Sequence, residues 1–228
     1  MTLATRIANV NQRILNAASQ ANRHSSDINL LAVSKTRDAN TIRSAHEQGL
    51  FAFGENYLQE ALEKQQLLTD CDIEWHFIGP IQSNKTRDIA NSFSWVHSVD
   101  RIKIAKRLND AATQTLNVCI QVNISEEDSK SGCKIDEIAA IANQIASMEN
   151  LTLRGLMAIP SATDDTQIQR QMFNKLRQQF IELRKDHPNI DTLSMGMSAD
   201  LEAAIAEGAT IVRIGTDIFG PRNYRKAT

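Results

Sequence analysis

Eight short apolar runs, each leading through a turn into a segment of helical period, constrain this chain of 228 residues more than any other feature. The runs lie at 30–34, 50–54, 73–78, 94–98, 117–124, 151–159, 191–195 and 210–214. Between them, Ile102-Ala105-Leu108, Ile138-Ile141-Ile145 and Ile168-Met172-Phe173-Leu176-Phe180-Leu183 recur at spacings of three and four, which puts each set on one helix face. Thr163, followed by Asp164 and Asp165, suits the start of the longest helix, and Pro188 lies beyond its end. Alternating strands and helices favour a parallel sheet with right-handed crossovers, and eight such units can close on themselves. The expected fold is therefore α/β: a single TIM-type (β/α)8 barrel domain over residues 1–228, preceded by an extra N-terminal helix carrying Leu3, Ile7, Val10, Ile14 and Leu15. A doubly wound open sheet fits the same alternation, but G-x-G-x-x-G is missing after the first strand, and there is no Walker loop.

Composition narrows the functional classes. With 42% apolar and 23% charged residues, the chain has enough material for a substantial core. A net charge of −2 gives no general attraction to nucleic acid or to an anionic membrane. No run reaches the roughly 18 apolar residues of a membrane-spanning helix. Cys71, Cys119 and Cys133 are odd in number and form no C-x-x-C pair, so free thiols in a reducing, cytoplasmic setting are expected. Arg6, Arg13 and Arg23, with several serines, precede the first acidic residue, Asp27, as in an organelle-targeting peptide. The apolar stripe of the same segment fits a helix packed on the barrel, and that reading is preferred.

The first run ends Ala32-Val33-Ser34-Lys35-Thr36. Four apolar residues in a row fit a strand buried on both faces, whose carboxyl end is where barrels carry their chemistry. An amine against apolar walls loses its proton cheaply enough to attack a carbonyl; the competing reading is a solvated lysine opening a loop. The other strand ends bring Glu55, Asn56, His76, His97, Ser98 and Asn123 to the same mouth. After the seventh and eighth strands come Ser194-Met195-Gly196-Met197-Ser198 and Arg213-Ile214-Gly215-Thr216.

Barrels frequently bind phosphate with those last two loops. Ser198 could cap the following helix, Gly196 and Gly215 leave room for a ligand, and Ser194, Ser198 and Thr216 supply hydroxyls. A capped helix and two glycine turns explain the same residues without a ligand, and Asp200 and Asp217 would oppose an anion. A lysine facing a phosphate cup across the mouth suggests a phosphorylated aldehyde held as an imine, with pyridoxal 5′-phosphate the obvious candidate. Arg213 could then meet the pyridine nitrogen. A guanidinium does not give up its proton, so the nitrogen would stay unprotonated and the ring a weak electron sink. An ordinary barrel arginine with an acidic neighbour is the alternative.

Six stretches then carry a resemblance: AVSKT (32–36), FGENYLQE (53–60), WHFIGPIQSNK (75–85), GLMAIP (155–160), SMGMSADLEAAI (194–205) and VRIGTDIFG (212–220). Together they resemble the YggS/PROSC family of pyridoxal-phosphate homeostasis proteins, whose fold is similar to the barrel domain of alanine racemase. The resemblance implies that Lys35 forms the internal aldimine, and that Ser194, Met195, Gly196 and Ser198, with Gly215 and Thr216, hold the phosphate. It further implies that Arg213 faces the pyridine nitrogen and that Asn56 lies near the cofactor. Asp217 stands where a small or neutral residue is expected.

Racemase chemistry needs a second acid/base, which in alanine racemases comes from an additional β domain and a partner subunit. This chain ends at Thr228 directly after the eighth unit, so no such domain is expected here. The expectation is a cofactor-binding protein, not an efficient catalyst, that buffers pyridoxal phosphate and supplies it to apo-enzymes, as a monomer and without nucleic acid or membrane partners. The alternative is an amino-acid racemase or lyase using Tyr57 or His76 as second base; a cofactor-free aldolase using Lys35 is a third reading. The stretch Glu126-Glu127-Asp128-Ser129-Lys130-Ser131-Gly132 reads as a solvated loop, with Lys130 a second amine for passing the aldehyde outward if it folds near the mouth.

Overall fold

The computed structural model describes residues 1–127 and 130–221. The chain opens with α1 (Leu3–Gln20), β1 (Asn29–Val33), α2 (Ala39–Glu47), β2 (Ala52–Glu55), α3 (Leu58–Leu67), β3 (Glu74–Phe77), α4 (Thr86–Ser92) and β4 (Trp95–Val99). It continues with α5 (Ile102–Ala111), β5 (Leu116–Gln121), α6 (Ile138–Ala146), β6 (Leu151–Met157), α7 (Thr166–Asp186), β7 (Thr192–Ser194), α8 (Leu201–Ala206), β8 (Ile211–Ile214) and α9 (Thr216–Phe219). The strands form a closed parallel barrel in sequence order, with β1 paired to both β2 and β8. The expected eight-stranded barrel is therefore present, its strand ends shifted by no more than three residues.

Alternation along the strands sorts the side chains. Ala32, Phe53, Val96, Val118 and Ile120 join the large shell that packs on the helices. Leu31, Val33, Ala52, Ile78 and Ile211 form one inner cluster, and Trp95, Cys119 and Met157 another. The interior also holds a buried, hydrogen-bonded polar group of His76, His97, Ser194 and Arg213. Each fully buried leucine or isoleucine of the shell contributes about 1.5–3 kcal/mol.

The extra helix α1 buries Ile7, Val10 and Ile14 against the barrel beside α8 and α9, while Leu15 of the expected stripe is exposed. Beyond the end of α1, Arg23 of the same amino-terminal segment has a structural contact: its Nη1 donates to Ile205 O at 2.9 Å. The start of α7 differs from the sequence reading. Asp165, not Thr163, is the cap, accepting from the N–H groups of Gln167 (2.8 Å) and Ile168 (3.2 Å). Thr163 Oγ1 instead accepts from Asp165 N–H, ordering the approach to the helix. Ile168 faces solvent. Among the described residues no helix is long and apolar enough to cross a membrane, and all three cysteines are free.

In the stretch after β5, Asp128 and Ser129 lie outside the described residues. Around them, Asn123 Nδ2 donates to Glu127 O at 2.8 Å and to Lys130 O at 3.4 Å.

Candidate cofactor site

The strand-one end is tightly determined. Ser34 N–H still pairs with Gly54 O at 3.0 Å, so the sheet continues one residue beyond β1. Arg37 N–H then closes a turn onto Ser34 O at 3.0 Å, with Lys35 and Thr36 as its central residues. Thr36 has φ +64°, a conformation in which glycine or asparagine is usual and which costs a β-branched residue on the order of 1–3 kcal/mol. Carrying the alternation past Ser34 gives Lys35 the inner parity of Leu31 and Val33. Lys35 is half-buried.

Both peptide groups flanking Lys35 are held by charges from α3. Lys64 Nζ donates to Ser34 O at 2.9 Å and to Glu55 Oε1 at 2.7 Å, and also bonds Glu60. Glu60 Oε1 in turn accepts from Thr36 N–H at 2.6 Å. Ser34 Oγ donates to Glu55 Oε1 at 2.6 Å. Glu55 is fully buried; burial pushes its pKa up, and Lys64 and Ser34 oppose the rise.

Arg213 lies on β8, the strand next to Lys35's own, with Leu31 its register partner. Lys35 therefore stands beside the strand-eight residues rather than across the mouth from them. The buried guanidinium donates from Nη1 to Ser194 Oγ and from Nη2 to Ala158 O, each at 2.8 Å. Among the described residues it forms no ion pair, and burial lowers its pKa to about 10, which leaves it charged at neutral pH. Ser194, read from sequence as a phosphate ligand, points into the barrel beneath the mouth. His97 Nδ1 is 2.8 Å from its Oγ. His97 Nε2 meets His76 Nδ1 at 2.9 Å, and His76 Nε2 meets Glu74 Oε1 at 2.8 Å. His76 is thus locked in the interior and is not a second base at the mouth, whereas Tyr57 is exposed.

The loops after β7 and β8 also depart from the sequence reading. Asp200, not Ser198, is the N-cap residue of α8, and its Oδ1 accepts from Met197 N–H. Ser198 Oγ accepts from Asp217 N–H at 3.4 Å, which brings the two loops together. Met195 is buried in the shell, its N–H bonded to Ile211 O, so its side chain belongs to the core. Gly196 has φ +94°, and a Cβ there would come within 2.5 Å of Ala204 Cβ; packing inside the protein already explains this glycine. Gly215 passes Val33, whose O would lie 3.2 Å from an added Cβ, and Thr216 is exposed at the start of α9. Asp217 does not stand as a bare charge: Arg13 of α1 ion-pairs with it, bonds Glu202 (2.7 Å) and donates to Ser198 O (3.0 Å). Arg13 thus ties together both loops from about 190 residues away, a role no local sequence signal marks.

Two polar groups here are of the kind a bound ligand completes. Asn56 Oδ1 is buried with no hydrogen-bond partner among the described residues, and Arg213 is a buried charge without a bonded carboxylate. Neither is comfortable in a finished core. An amine, a guanidinium, an amide and two loop backbones match a phosphorylated pyridine aldehyde by chemistry.

The loop carrying Asn56 has little freedom, because a Cβ on Gly79 would lie 2.1 Å from Asn56 O. Replacing Gly79 with alanine is expected to cost about 1–3 kcal/mol by overpacking. The urea midpoint should fall with an unchanged m value; an unaltered midpoint would show that the loop yields freely.

Comparisons place the chain among known proteins. Residues 9–223 match the family described as alanine racemase, N-terminal domain. The chain is 56% identical over 226 residues to the pyridoxal phosphate homeostasis protein of Pseudomonas aeruginosa, covering 98% of this chain and 97% of that one. It is 48% identical over 230 residues to the protein of the same name from Escherichia coli K12, covering 98% of each. PipY of Synechococcus elongatus, solved with PLP bound, is 35% identical with a TM-score of 0.83, covering 96% of this chain and 100% of that one. An alanine racemase from Corynebacterium glutamicum shares the fold at 17% identity and TM-score 0.73, with 96% of this chain aligned to 62% of that one.

Proposed function

The chain belongs to the alanine racemase N-terminal domain family and, within it, to the pyridoxal phosphate homeostasis proteins, and from that premise we propose that it binds pyridoxal 5′-phosphate reversibly through Lys35. It buffers the reactive aldehyde and supplies it to apo-enzymes in the cytoplasm, acting as one monomeric barrel. The observation that carries this reading is the pairing of Lys35 and the buried Arg213 on neighbouring strands. When bound, the cofactor supplies an aldehyde with which an amine condenses reversibly, with loss of water.

The chain's own residues then have distinct tasks. Lys35 provides the amine. Asn56 offers its buried amide oxygen, and the backbone of residues 195–198 and of Gly215-Thr216, with the hydroxyls of Ser198 and Thr216, receives the phosphate, Met195 contributing no more than its main chain and the Ser194 hydroxyl serving Arg213 instead. Arg13 ion-pairs with both Asp217 and Glu202 and offsets one of their two charges, so the anion meets less opposing charge than the sequence implies. Arg213 meets the ring nitrogen as a donor that keeps its own proton, which leaves the ring a poor electron sink. With His76 sealed inside the barrel, no imidazole is offered as a second base by that strand. Both points favour a carrier over a racemase or lyase.

Purified protein incubated with pyridoxal phosphate should show an absorption band near the visible that borohydride abolishes, and peptide mapping should find the reduced adduct on Lys35. An adduct confined to other lysines would refute the assignment. Deuterium exchange at the α-carbon of added amino acids, lost in Lys35→Ala, would instead favour the enzyme reading.

A further inference from the structure

Arg213, Ser194, His97, His76 and Glu74 form one unbroken series of contacts through the barrel, from below the mouth to the first residue of β3 at the opposite face. There Glu74, half exposed, borders a cavity of about 620 Å³ that is also lined by Trp95, Arg154 and Asp191. The end groups decide which way the hydrogen bonds run. A guanidinium only donates, and an ionised carboxylate only accepts. His76 holds Glu74 below the usual carboxylate range, so Glu74 is ionised at neutral pH. His76 Nε2 must then carry a proton, because a bare nitrogen 2.8 Å from a carboxylate would set two acceptors face to face. Burial pushes both imidazoles below their ordinary pKa, so each holds one proton. With His76 protonated on Nε2, its Nδ1 accepts from His97 Nε2–H; His97 Nδ1 accepts from Ser194 O–H; and Ser194 Oγ keeps its lone pairs for Arg213. Every contact is satisfied in this direction. In the reverse direction the contact at Glu74 fails.

The surroundings do not compete for these protons. Trp95 stacks on His76 at 5.4 Å between centroids, and Arg154 lies over Trp95 and is itself paired with Asp191. Cys119 is buried, its thiol pushed up to about 12, and Asp200 near Arg213 is engaged by Met197 N–H.

We propose that Glu74, His76 and His97 are positioning residues for Arg213, forming a one-directional hydrogen-bond relay from the amino-terminal opening of the barrel that holds the guanidinium in place to donate toward the cofactor ring. The positioning role rests on the reading of Arg213 under Proposed function; the direction of the relay does not. Glu74 sets that direction through its charge, although it is remote from the mouth.

The relay is tested on the full-length protein without cofactor by nitrogen-15 correlation spectra of the histidine rings at pH 7. His76 and His97 should both be neutral with the proton on Nε2. A ring of either residue that is charged or protonated on Nδ1 overturns the relay. Glu74→Gln, whose amide can donate as well as accept, and Glu74→Leu, which does neither, should both let Nδ1-protonated rings appear at His76 and His97. Titration with pyridoxal phosphate, followed by absorbance, then tests positioning. Glu74→Leu should bind about tenfold more weakly, as expected for one weakened hydrogen bond to a charged group, and Glu74→Gln should fall between Glu74→Leu and wild type. Equal affinity in wild type and Glu74→Leu overturns the positioning role. Wild-type protein that takes up no pyridoxal phosphate overturns the reading of Arg213 and the positioning role with it, and the ring spectra of that same protein still judge the relay.

Discussion

Lys35→Ala protein should fold normally, yet gain no mass when pyridoxal phosphate is added and reduced with borohydride. Lys35 sits in a turn past the end of β1, half exposed, so shortening it removes little packing. Its contribution is chemical. An arginine at this position should not rescue adduct formation, because a guanidinium stays protonated and is not a nucleophile. The phosphate-binding loops and Arg213 remain in the variant, so weak, salt-sensitive retention of the cofactor should persist and be removed by dialysis. A stoichiometric reduced adduct in Lys35→Ala would move the reactive amine elsewhere in the chain. Comparing the thermal unfolding of the two proteins without cofactor separates this chemical loss from a folding defect.

The barrel was legible in the sequence because a parallel strand covered on both faces must be a continuous apolar run, and eight such runs leave few closed arrangements. Layers within the barrel were not legible. A position late in a strand points His76 and His97 to the mouth, but alternation and strand stagger put them in the interior, where His97 meets Ser194 and His76 meets His97. The Ser194 hydroxyl lies in the interior for the same reason. Each cap lies two residues beyond the sequence expectation, at Asp165 against Thr163 and at Asp200 against Ser198, since several adjacent polar residues can each bond the first turn and tertiary packing chooses between them. Arg13 and Lys64 left no trace at all. Each acts through contacts that close only when the barrel does: Arg13 with residues near the carboxyl end, and Lys64 with the strand that begins the barrel.

Lys64 shows how much of the site is built behind the residues that would touch a ligand. Removing one member of a buried ion pair leaves the other as an uncompensated charge, at a cost of about 3–5 kcal/mol. Lys64→Met should therefore lower the melting temperature by on the order of 10 °C, because Glu55 would keep only the Ser34 hydroxyl. The double variant Glu55→Leu/Lys64→Met removes both charges and should recover most of that stability. Cofactor capture should not recover with it, for a reason specific to this turn. Lys64 also holds the carbonyl of Ser34, and it orients the Glu60 carboxylate that accepts the N–H of Thr36 in its left-handed conformation. With those anchors gone the turn relaxes toward an unstrained backbone, and Lys35 loses its fixed direction. A double variant that is stable but forms the borohydride-reducible adduct markedly more slowly than wild type is the expected outcome. Wild-type capture rates in that variant would show that the turn holds Lys35 without help from α3.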